Sequence, residues 1–294
     1  MGMPFYVAPE QVMKDRADYA RKGIARGRSL IAAICADGIL LCAENPSATL
    51  RKISEIYDRI AFAGVGRYNE FDQLRVAGVR HADLKGYSYS REDVDARSLA
   101  NAYAQALGQV FTHEMKPLEV EILVAEVAED GGRDQLFHIL YDGTVIDEPD
   151  RAVLGGDAEV IAHRFEATHS PDAPVADALA AAVAALAGPE RALTAGELEA
   201  AVLDRANGRR TFRRLTDAEI TAVLGGGTGA AEDIGASEGA AGSESSDGSA
   251  GDDGDEPETH DRDGAAPAGG APGPDAAGAP ADEPSSEADG TADP

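Results

Sequence analysis

The side chains that most often hold metals or act as nucleophiles are few and scattered in this sequence. Of the six histidines, His163 and His169 lie six residues apart, with no HExxH pattern and no carboxylate at ligand spacing. The two cysteines, Cys35 and Cys42, fall on the same face of a predicted β-hairpin, where free cysteines usually pack as small apolar side chains. The pattern predicts no metal site, no disulfide framework and no cofactor.

The glycine-rich segments contain no phosphate-binding motif, and the charge of the chain does not favour nucleic-acid binding. The run GGGTG at 225–229 has no following Lys-Ser or Lys-Thr, and the G-x-S-x-G setting of a hydrolase serine is absent from the sequence. The chain carries 26 basic and 53 acidic residues, a net charge of −27, whereas binding to nucleic-acid phosphates needs a basic face. We therefore expect no nucleic-acid partner.

The acidic residues are concentrated at the end of the 294-residue chain. Residues 225–294 contain 18 acidic residues and one basic residue, and Ile234 is their only large aliphatic side chain. Such a segment cannot bury enough apolar surface to offset the entropy of ordering, so a disordered acidic tail is predicted over 225–294. The remaining part is long enough for one domain with a sizeable core. No apolar run of about 18 residues and no secretory signal is visible, which predicts a cytoplasmic protein without a membrane span.

The first part of the folded region reads as one helix followed by four strands. Pro9 opens a helical stretch that runs to about Arg26. The apolar runs SLIAAICA and ILLCAE flank Asp37-Gly38, a strong hairpin signal. A second pair of strands, KISEIYD and IAFAGVG, turns near Asp58-Arg59.

The later part reads as blocks of helices and strands. Two helices are predicted, one from about Asn69 to Leu84 and one capped by Ser90. Strands are predicted at 118–128, 134–142 and 152–157, and helices near 157–168 and 174–187. A last hairpin is predicted around Asn207-Gly208. A closing helix begins with the capping box Thr216–Glu219 and ends at Leu224. Segregated blocks of this kind indicate an α+β sandwich with antiparallel sheets between helical layers.

Several long segments resemble a known family. The successive runs YARKGIARG, SLIAAICADGILLCAENPS and LRKISEIYDRIAFAGVGRYNEFDQLR resemble the proteasome α-subunit, and ENPS, KISEIYDR and NEFD are similar to its actinobacterial form. Similar stretches continue through ANAYAQALGQVFTHEMKPLEVE, LYDGTVIDEP and VLDRANGRRTFRRLT, so the resemblance covers about residues 4–222. It implies the four-layer αββα sandwich of N-terminal-nucleophile hydrolases, with an extra N-terminal helix, over residues 9–224.

The same resemblance implies that this chain is not catalytic by itself. Catalytic β-subunits expose a threonine at the start of the first strand, and the α-amine of that threonine serves as the base. Alignment of DGILLCAE with the β-type GGVLLAGD places Arg28 at the threonine and Glu44 at the β-type aspartate. No threonine precedes this strand, so we expect no catalytic residue in the chain.

Lys52 is one of five lysines, and two interpretations remain open for it. It could be a solvated lysine at the start of a strand. The resemblance implies instead that it matches the lysine in the pocket between neighbouring α-subunits, where it receives the C-terminal carboxylate of an activating ATPase. A flexible ammonium suits a single mobile carboxylate.

Two further segments receive roles from the resemblance. The apolar start of the chain, residues 1–8 with Met3, Phe5, Tyr6 and Val7, would close the axial pore, although the Tyr-Asp-Arg triplet of archaeal and eukaryotic relatives is missing. The segment between a helix and the next strand would form the pore constriction, and an ordinary connecting loop is an equal alternative. Its residues are Phe111, Thr112, His113, Glu114, Met115, Lys116 and Pro117.

Taken together, the resemblance implies a proteasome α-subunit that forms heptameric rings on two catalytic β rings. Its partners would be the β-subunit, neighbouring α-subunits and a ring-shaped AAA ATPase, and its substrates would be proteins tagged with the small modifier Pup. A catalytic N-terminal-nucleophile hydrolase and a monomeric acidic adaptor are the alternatives. A Thr, Ser or Cys exposed by processing would favour the first, and a particle of monomer size would favour the second.

Overall fold

The computed structural model describes residues 8–129 and 132–226 of the chain. Six helices and ten strands occur in these residues. The helices are α1 (Pro9–Ile24), α2 (Tyr68–Ser88), α3 (Ala96–His113), α4 (Ala158–Glu166), α5 (Val175–Ala187) and α6 (Asp217–Gly226). The strands are β1 (Leu30–Cys35), β2 (Gly38–Glu44), β3 (Ile53–Tyr57), β4 (Ile60–Gly66), β5 (Val120–Glu126), β6 (Gln135–Ile139), β7 (Val145–Glu148), β8 (Arg151–Leu154), β9 (Leu198–Asp204) and β10 (Phe212–Arg214).

The strands form two antiparallel sheets of five. One sheet has the order β10-β9-β2-β1-β8 and the other has the order β3-β4-β5-β6-β7. The second sheet consists of strands that follow one another along the chain. The first sheet joins the β1–β2 hairpin to strands from the last third of the folded region. The two sheets therefore differ in how far apart their strands lie in the sequence.

Three apolar layers hold the sheets and helices together. Leu30, Leu41, Leu123 and Leu203 belong to a cluster between the two sheets, and Ile24 of α1 is part of it. A second cluster fills the space between the first sheet and α4, α5 and α6. A third cluster lies between the second sheet and α2 and α3. Alternate residues of a strand point to opposite faces, and in the central strands both faces are covered, which is why strands such as β1, β2 and β4 read as continuous apolar runs.

This arrangement confirms the predicted four-layer αββα sandwich with an extra N-terminal helix. The two cysteines also lie where the sequence predicted, buried on the helix-facing side of the first sheet. The first hairpin is confirmed as well, with one adjustment of its turn. Because Cys35 pairs with Gly38, the two turn residues are Ala36 and Asp37, and Gly38 adopts a φ of 146° as the first residue of β2.

Three local predictions need correction. Ser90 was predicted to cap a long helix, but its side chain caps a short 3₁₀ turn at Arg91–Asp93, and Asp95 caps α3 by accepting a hydrogen bond from the Ser98 nitrogen at 2.8 Å. Strand β7 was not predicted, because its residues are mostly exposed at a sheet edge and show no apolar alternation. Helix α6 continues two residues beyond its predicted end at Leu224.

Within the described residues, no helix is both long and apolar enough to cross a membrane. The gate residues Met3, Phe5, Tyr6 and Val7 lie outside the described residues, as does the predicted tail beyond residue 226.

Candidate functional site

The position that a catalytic threonine would occupy lies just before β1 and holds Arg28. Helix α1 ends at Ile24, so the main-chain nitrogen of residue 28 lies within a continuous chain that already includes α1. The Arg28 guanidinium donates a hydrogen bond of 2.5 Å to Glu44 at the end of β2, and Arg191 donates two bonds of 3.2 Å to the same carboxylate. A guanidinium stays protonated and has no acceptor site, so it cannot act as a nucleophile. The described geometry agrees with the expected loss of the catalytic group.

Lys52 lies on the other side of Arg28, at the residue that precedes β3. Its ammonium donates a 2.6 Å hydrogen bond to the carbonyl oxygen of Arg28. Burial lowers the pKa of Lys52 to about 8, an effect opposed by the carboxylates of Glu199 and Glu44 and assisted by the positive charge of Arg28. The sequence related Arg28 to the lost nucleophile and Lys52 to a docking pocket, and the structure places the two residues in contact.

Glu199 on β9 lies beneath this site and is 2% exposed. One of its carboxylate oxygens, Oε2, accepts hydrogen bonds from the Lys52 main-chain nitrogen at 2.8 Å and from Asn45 Nδ2 at 2.7 Å. The other, Oε1, accepts a 3.3 Å bond from the Ile53 nitrogen and a short bond from Arg214. A buried carboxylate is costly unless it is paired and hydrogen-bonded, and all these donors converge to meet that requirement.

Asn45 fixes the connection that leads from β2 to Lys52. Besides its bond to Glu199, Asn45 donates to the Leu50 carbonyl at 2.8 Å and accepts from the Ser47 nitrogen at 3.1 Å. The side chain of Ser47 in turn accepts a 3.0 Å bond from the Leu50 nitrogen. The ENPS segment therefore folds back on itself, which sets the direction from which Lys52 enters the site.

Arg28 also lines a cleft of about 800 Å³, of which Lys52 is not a lining residue. Its walls come from the segment before β1, from α4 and from the end of α5, and its charged residues include both signs: Arg28, Glu44, Asp157, Arg164, Glu190, Arg191 and Glu197. The mixture of signs indicates no preference for an anionic or a cationic ligand. The structure describes no group of three His, Cys, Asp or Glu residues in residues 8–129 and 132–226 that could hold a metal ion.

The predicted pore-constriction segment is divided between a helix and a link. Phe111, Thr112 and His113 form the last turn of α3, so the helix continues two residues beyond Phe111, where the apolar helical pattern ends. Phe111 packs against the ring of Tyr141 with a centroid distance of 5.7 Å. Only residues 114–117 form the link, and Met115 within it is 99% exposed. If this segment narrows a pore, the link is the part that can face it.

Lys116 in this link is anchored rather than free. Its ammonium donates a 2.7 Å hydrogen bond to Glu70 on α2 and lies 3.0 Å from a carboxylate oxygen of Glu119. Both carboxylates belong to largely buried residues, at 9% and 4% exposure. Partial burial would lower the pKa of Lys116, but the hydrogen bonds and charges of Glu70 and Glu119 outweigh it and raise that pKa. Lys116 thus ties the link to the body of the domain.

The sequence did not identify Asn45, Glu199 or Arg214 as members of the Lys52 site. Glu199 interrupts the apolar strand LEAAVLD, and a carboxylate in a strand that is buried on both faces needs internal partners, which is a signal that the sequence does contain. Arg214 lies in the RTFRRL segment, where nothing in the sequence distinguishes it from the neighbouring arginines. Its role depends on the pairing of β9 with β10.

Comparison with known proteins agrees with this fold. A family model described as Proteasome subunit matches residues 24–203. A protein named proteasome subunit alpha from Acidimicrobium ferrooxidans is 65% identical over 225 residues, which cover 76% of this chain and 97% of that protein. Proteins of the same name from Xylanimonas cellulosilytica and Saccharopolyspora erythraea are 57% and 55% identical over 232 and 227 residues. These matches cover 75% and 76% of this chain, and 95% and 89% of the respective relatives.

The length and identity of these matches confirm the resemblance found in the sequence, including its actinobacterial character. The chain therefore belongs to the proteasome subunit family as a subunit of the alpha type, the non-catalytic subunit of the 20S core.

Proposed function

We propose that seven copies of this chain form each outer ring of a 20S core and dock a ring-shaped AAA ATPase at Lys52. Each ring scaffolds a ring of catalytic β-subunits and restricts passage to unfolded chains. The names and extents of the relatives support assembly into a core particle of this kind. Closed rings of identical subunits are a common way for one repeated interface to build a chamber.

The arrangement of Lys52 is the single observation that supports the docking role best. Its ammonium is bonded to one neutral carbonyl, that of Arg28, and the nearby carboxylates of Glu199 and Glu44 are engaged by arginines. The ammonium can therefore donate a hydrogen bond to a mobile carboxylate and pair with its charge. The C-terminal carboxylate of an ATPase tail would supply that partner, and a neighbouring subunit of the ring would close the pocket and lower its dielectric constant.

Control of passage is the second part of the proposal. The apolar residues 1–8 precede α1, and seven copies brought to one axis would associate there, because clustering removes their apolar surface from water. The link at 114–117, with Met115 exposed at its tip, would narrow the channel beyond this gate. Pup-tagged proteins in the cytoplasm are the substrates that the actinobacterial resemblance implies.

Coexpression of the chain with its β partner, followed by electron microscopy, tests the assembly. We expect four stacked rings of seven subunits, with this chain in the outer rings. The purified chain alone should hydrolyse no peptide, because Arg28 replaces the nucleophile. A particle of monomer size, or peptide turnover that maps to a residue of this chain, would contradict the proposal.

A further inference from the structure

We propose that Glu199 is the positioning residue of the Lys52 pocket, fixing the main chain at Lys52 and Ile53 and placing a buried negative charge against it. The inference rests on the proposed docking role of Lys52. It extends that role to a buried residue that an incoming peptide cannot touch.

The geometry gives Glu199 control over the direction of the Lys52 side chain. Its carboxylate bonds to two consecutive main-chain nitrogens, at residues 52 and 53, where the incoming connection becomes strand β3. It also holds Asn45, at the other end of that connection. With both ends pinned to one carboxylate, the Lys52 side chain leaves the backbone toward the carbonyl of Arg28. A shift of β9 would move the ammonium with it.

The charged groups around the ammonium lie on three strands, β2, β9 and β10, and on the segments before β1 and after α5. Glu199 on β9 and Glu44 on β2 favour the protonated amine, and Arg28 opposes it. Arg214 on β10 bonds to Glu199, and Arg191 after α5 bonds to Glu44, so each carboxylate is shared with an arginine. Burial disfavours the charge on the amine, and Glu199 is the stronger of the two carboxylates that counter this effect.

A purely structural role for Glu199 makes a different prediction from a positioning role. Replacement of Glu199 by Gln keeps the size and retains an oxygen acceptor for a main-chain nitrogen, but removes the negative charge. If Glu199 had only a structural role, this replacement would lower the stability of the protein without changing the protonation of Lys52. A positioning residue that also supplies charge would shift that protonation in a folded protein.

Competitive acetylation of the assembled core particle measures this protonation directly. A trace of acetic anhydride reacts with the neutral amine only, so the labelling rate of each lysine as a function of pH reports its titration. Mass spectrometry resolves Lys52 because Arg51 and Arg59 bracket its tryptic peptide. Lys14, exposed on α1, is the internal reference.

In Glu199→Gln particles we expect the labelling midpoint of Lys52 to fall by about one pH unit or more, the size that a nearby opposite charge usually produces. The midpoint of Lys14 should not move. Glu55→Gln is the matched control, because Glu55 lies on β3 and pairs with Arg210 at 2.6 Å rather than with Lys52. An unchanged Lys52 midpoint in assembled Glu199→Gln particles would overturn the inference.

A second measurement separates this inference from the docking role itself. A synthetic peptide with the C-terminal sequence of the ATPase should bind Glu199→Gln particles weakly at pH 7.5 and recover toward wild-type affinity as the pH is lowered. A shifted labelling midpoint with no peptide binding in wild-type particles would reject the docking role and keep the assignment of Glu199. If Glu199→Gln does not assemble, Glu199→Asp is the second variant, because it keeps the negative charge but is one methylene group too short to hold the nitrogens of residues 52 and 53 as Glu199 does. Wild-type peptide affinity in assembled Glu199→Asp particles would overturn the positioning role.

Discussion

Two lysines of this subunit occupy sites that look alike in sequence and differ in structure. Lys52 and Lys116 each stand one to four residues before a buried strand, and each faces two carboxylates. Lys116 contacts both carboxylates directly, and its pKa is raised. Among the residues that the structure describes, the Lys52 ammonium bonds to one neutral carbonyl and to no carboxylate, and burial lowers its pKa to about 8.

The difference shows how a structural lysine can be distinguished from a candidate binding lysine. The charge of Lys116 is used within the domain, where it neutralises two buried carboxylates. The two carboxylates near Lys52 each bond to an arginine and not to the ammonium, so the charge of Lys52 can still gain a direct partner. A shifted pKa in a charged group that has no oppositely charged partner in direct contact is typical of a functional site.

Removal of the Lys52 ammonium should have the largest effect. In a Lys52→Ala particle, we expect affinity for an ATPase C-terminal peptide to fall about 10- to 150-fold, because a charge-assisted hydrogen bond to a carboxylate contributes about 1.5–3 kcal/mol. Titration of a labelled peptide by fluorescence anisotropy measures this. Lys116→Ala is the control and should bind within about twofold of wild type. Equal losses in the two variants would remove the distinction drawn between these lysines.

Peptide binding to wild-type particles should also depend on pH. A carboxylate needs the protonated amine, and with a pKa of about 8 the protonated fraction falls from about nine-tenths at pH 7 to about one-tenth at pH 9. Affinity should therefore fall about tenfold over this range. Repeating the titration with the Lys52→Arg variant, whose charge does not titrate there, provides the comparison. A wild-type profile as flat as that of the arginine variant would show that Lys52 is not the titrating group.

Deletion of residues 2–8 tests whether the gate is separate from the link that Lys116 anchors. We expect turnover of small fluorogenic peptides by the assembled particle to rise several-fold, with the KM of the β sites little changed. Folded proteins should stay resistant, because the link at 114–117 and its bonds to Glu70 remain. Intact particles with wild-type peptide turnover would mean that these residues do not close the pore.

Loss of the Lys116 anchor should lower stability by a moderate amount. Lys116→Ala leaves Glu70 and Glu119 with less positive charge nearby, a change that costs about 1–2 kcal/mol. For a domain of this size the melting temperature should fall by roughly 2–8 °C. Differential scanning calorimetry of the particle, with Lys14→Ala as an exposed control, measures the difference. A melting temperature equal to that of the control would show that Lys116 is a solvated side chain.

Truncation after Gly226 should have the smallest effect. The removed residues contain Ile234 as their only large aliphatic side chain, so they offer almost no apolar surface to bury on the domain. The melting temperature should stay within about one degree of wild type, and peptide affinity at Lys52 should be unchanged. A larger thermal shift, or a gain in peptide affinity, would show that the acidic tail contacts the domain or competes for Lys52.

The sequence predicted the fold wherever burial and turn chemistry agreed. The apolar runs on either side of Asp37-Gly38 gave the first hairpin, and the capping box at Thr216 gave the start of α6. Strand β7 was missed because it owes its place to pairing with β6 rather than to its own apolar pattern. The site was predicted only in part. Lys52 was identified by resemblance, whereas its contacts with Arg28 and Glu199 depend on strand pairing that no local pattern contains.

The unequal distribution of strands between the two sheets has a consequence for synthesis on the ribosome. Strands β3 to β7 pair in the order in which they follow along the chain, with α2 and α3 between β4 and β5, so this sheet can pair once residues 53–148 have emerged. The β1–β2 hairpin must wait with both of its outer edges open, because its neighbours β8 and β9 begin at residues 151 and 198. Long-range pairing of this kind is slow and leaves strand edges exposed during folding. The bond between Glu199 and Lys52 spans 147 residues, so the surroundings of Lys52 are completed only after β9 has been synthesised and has paired with β2.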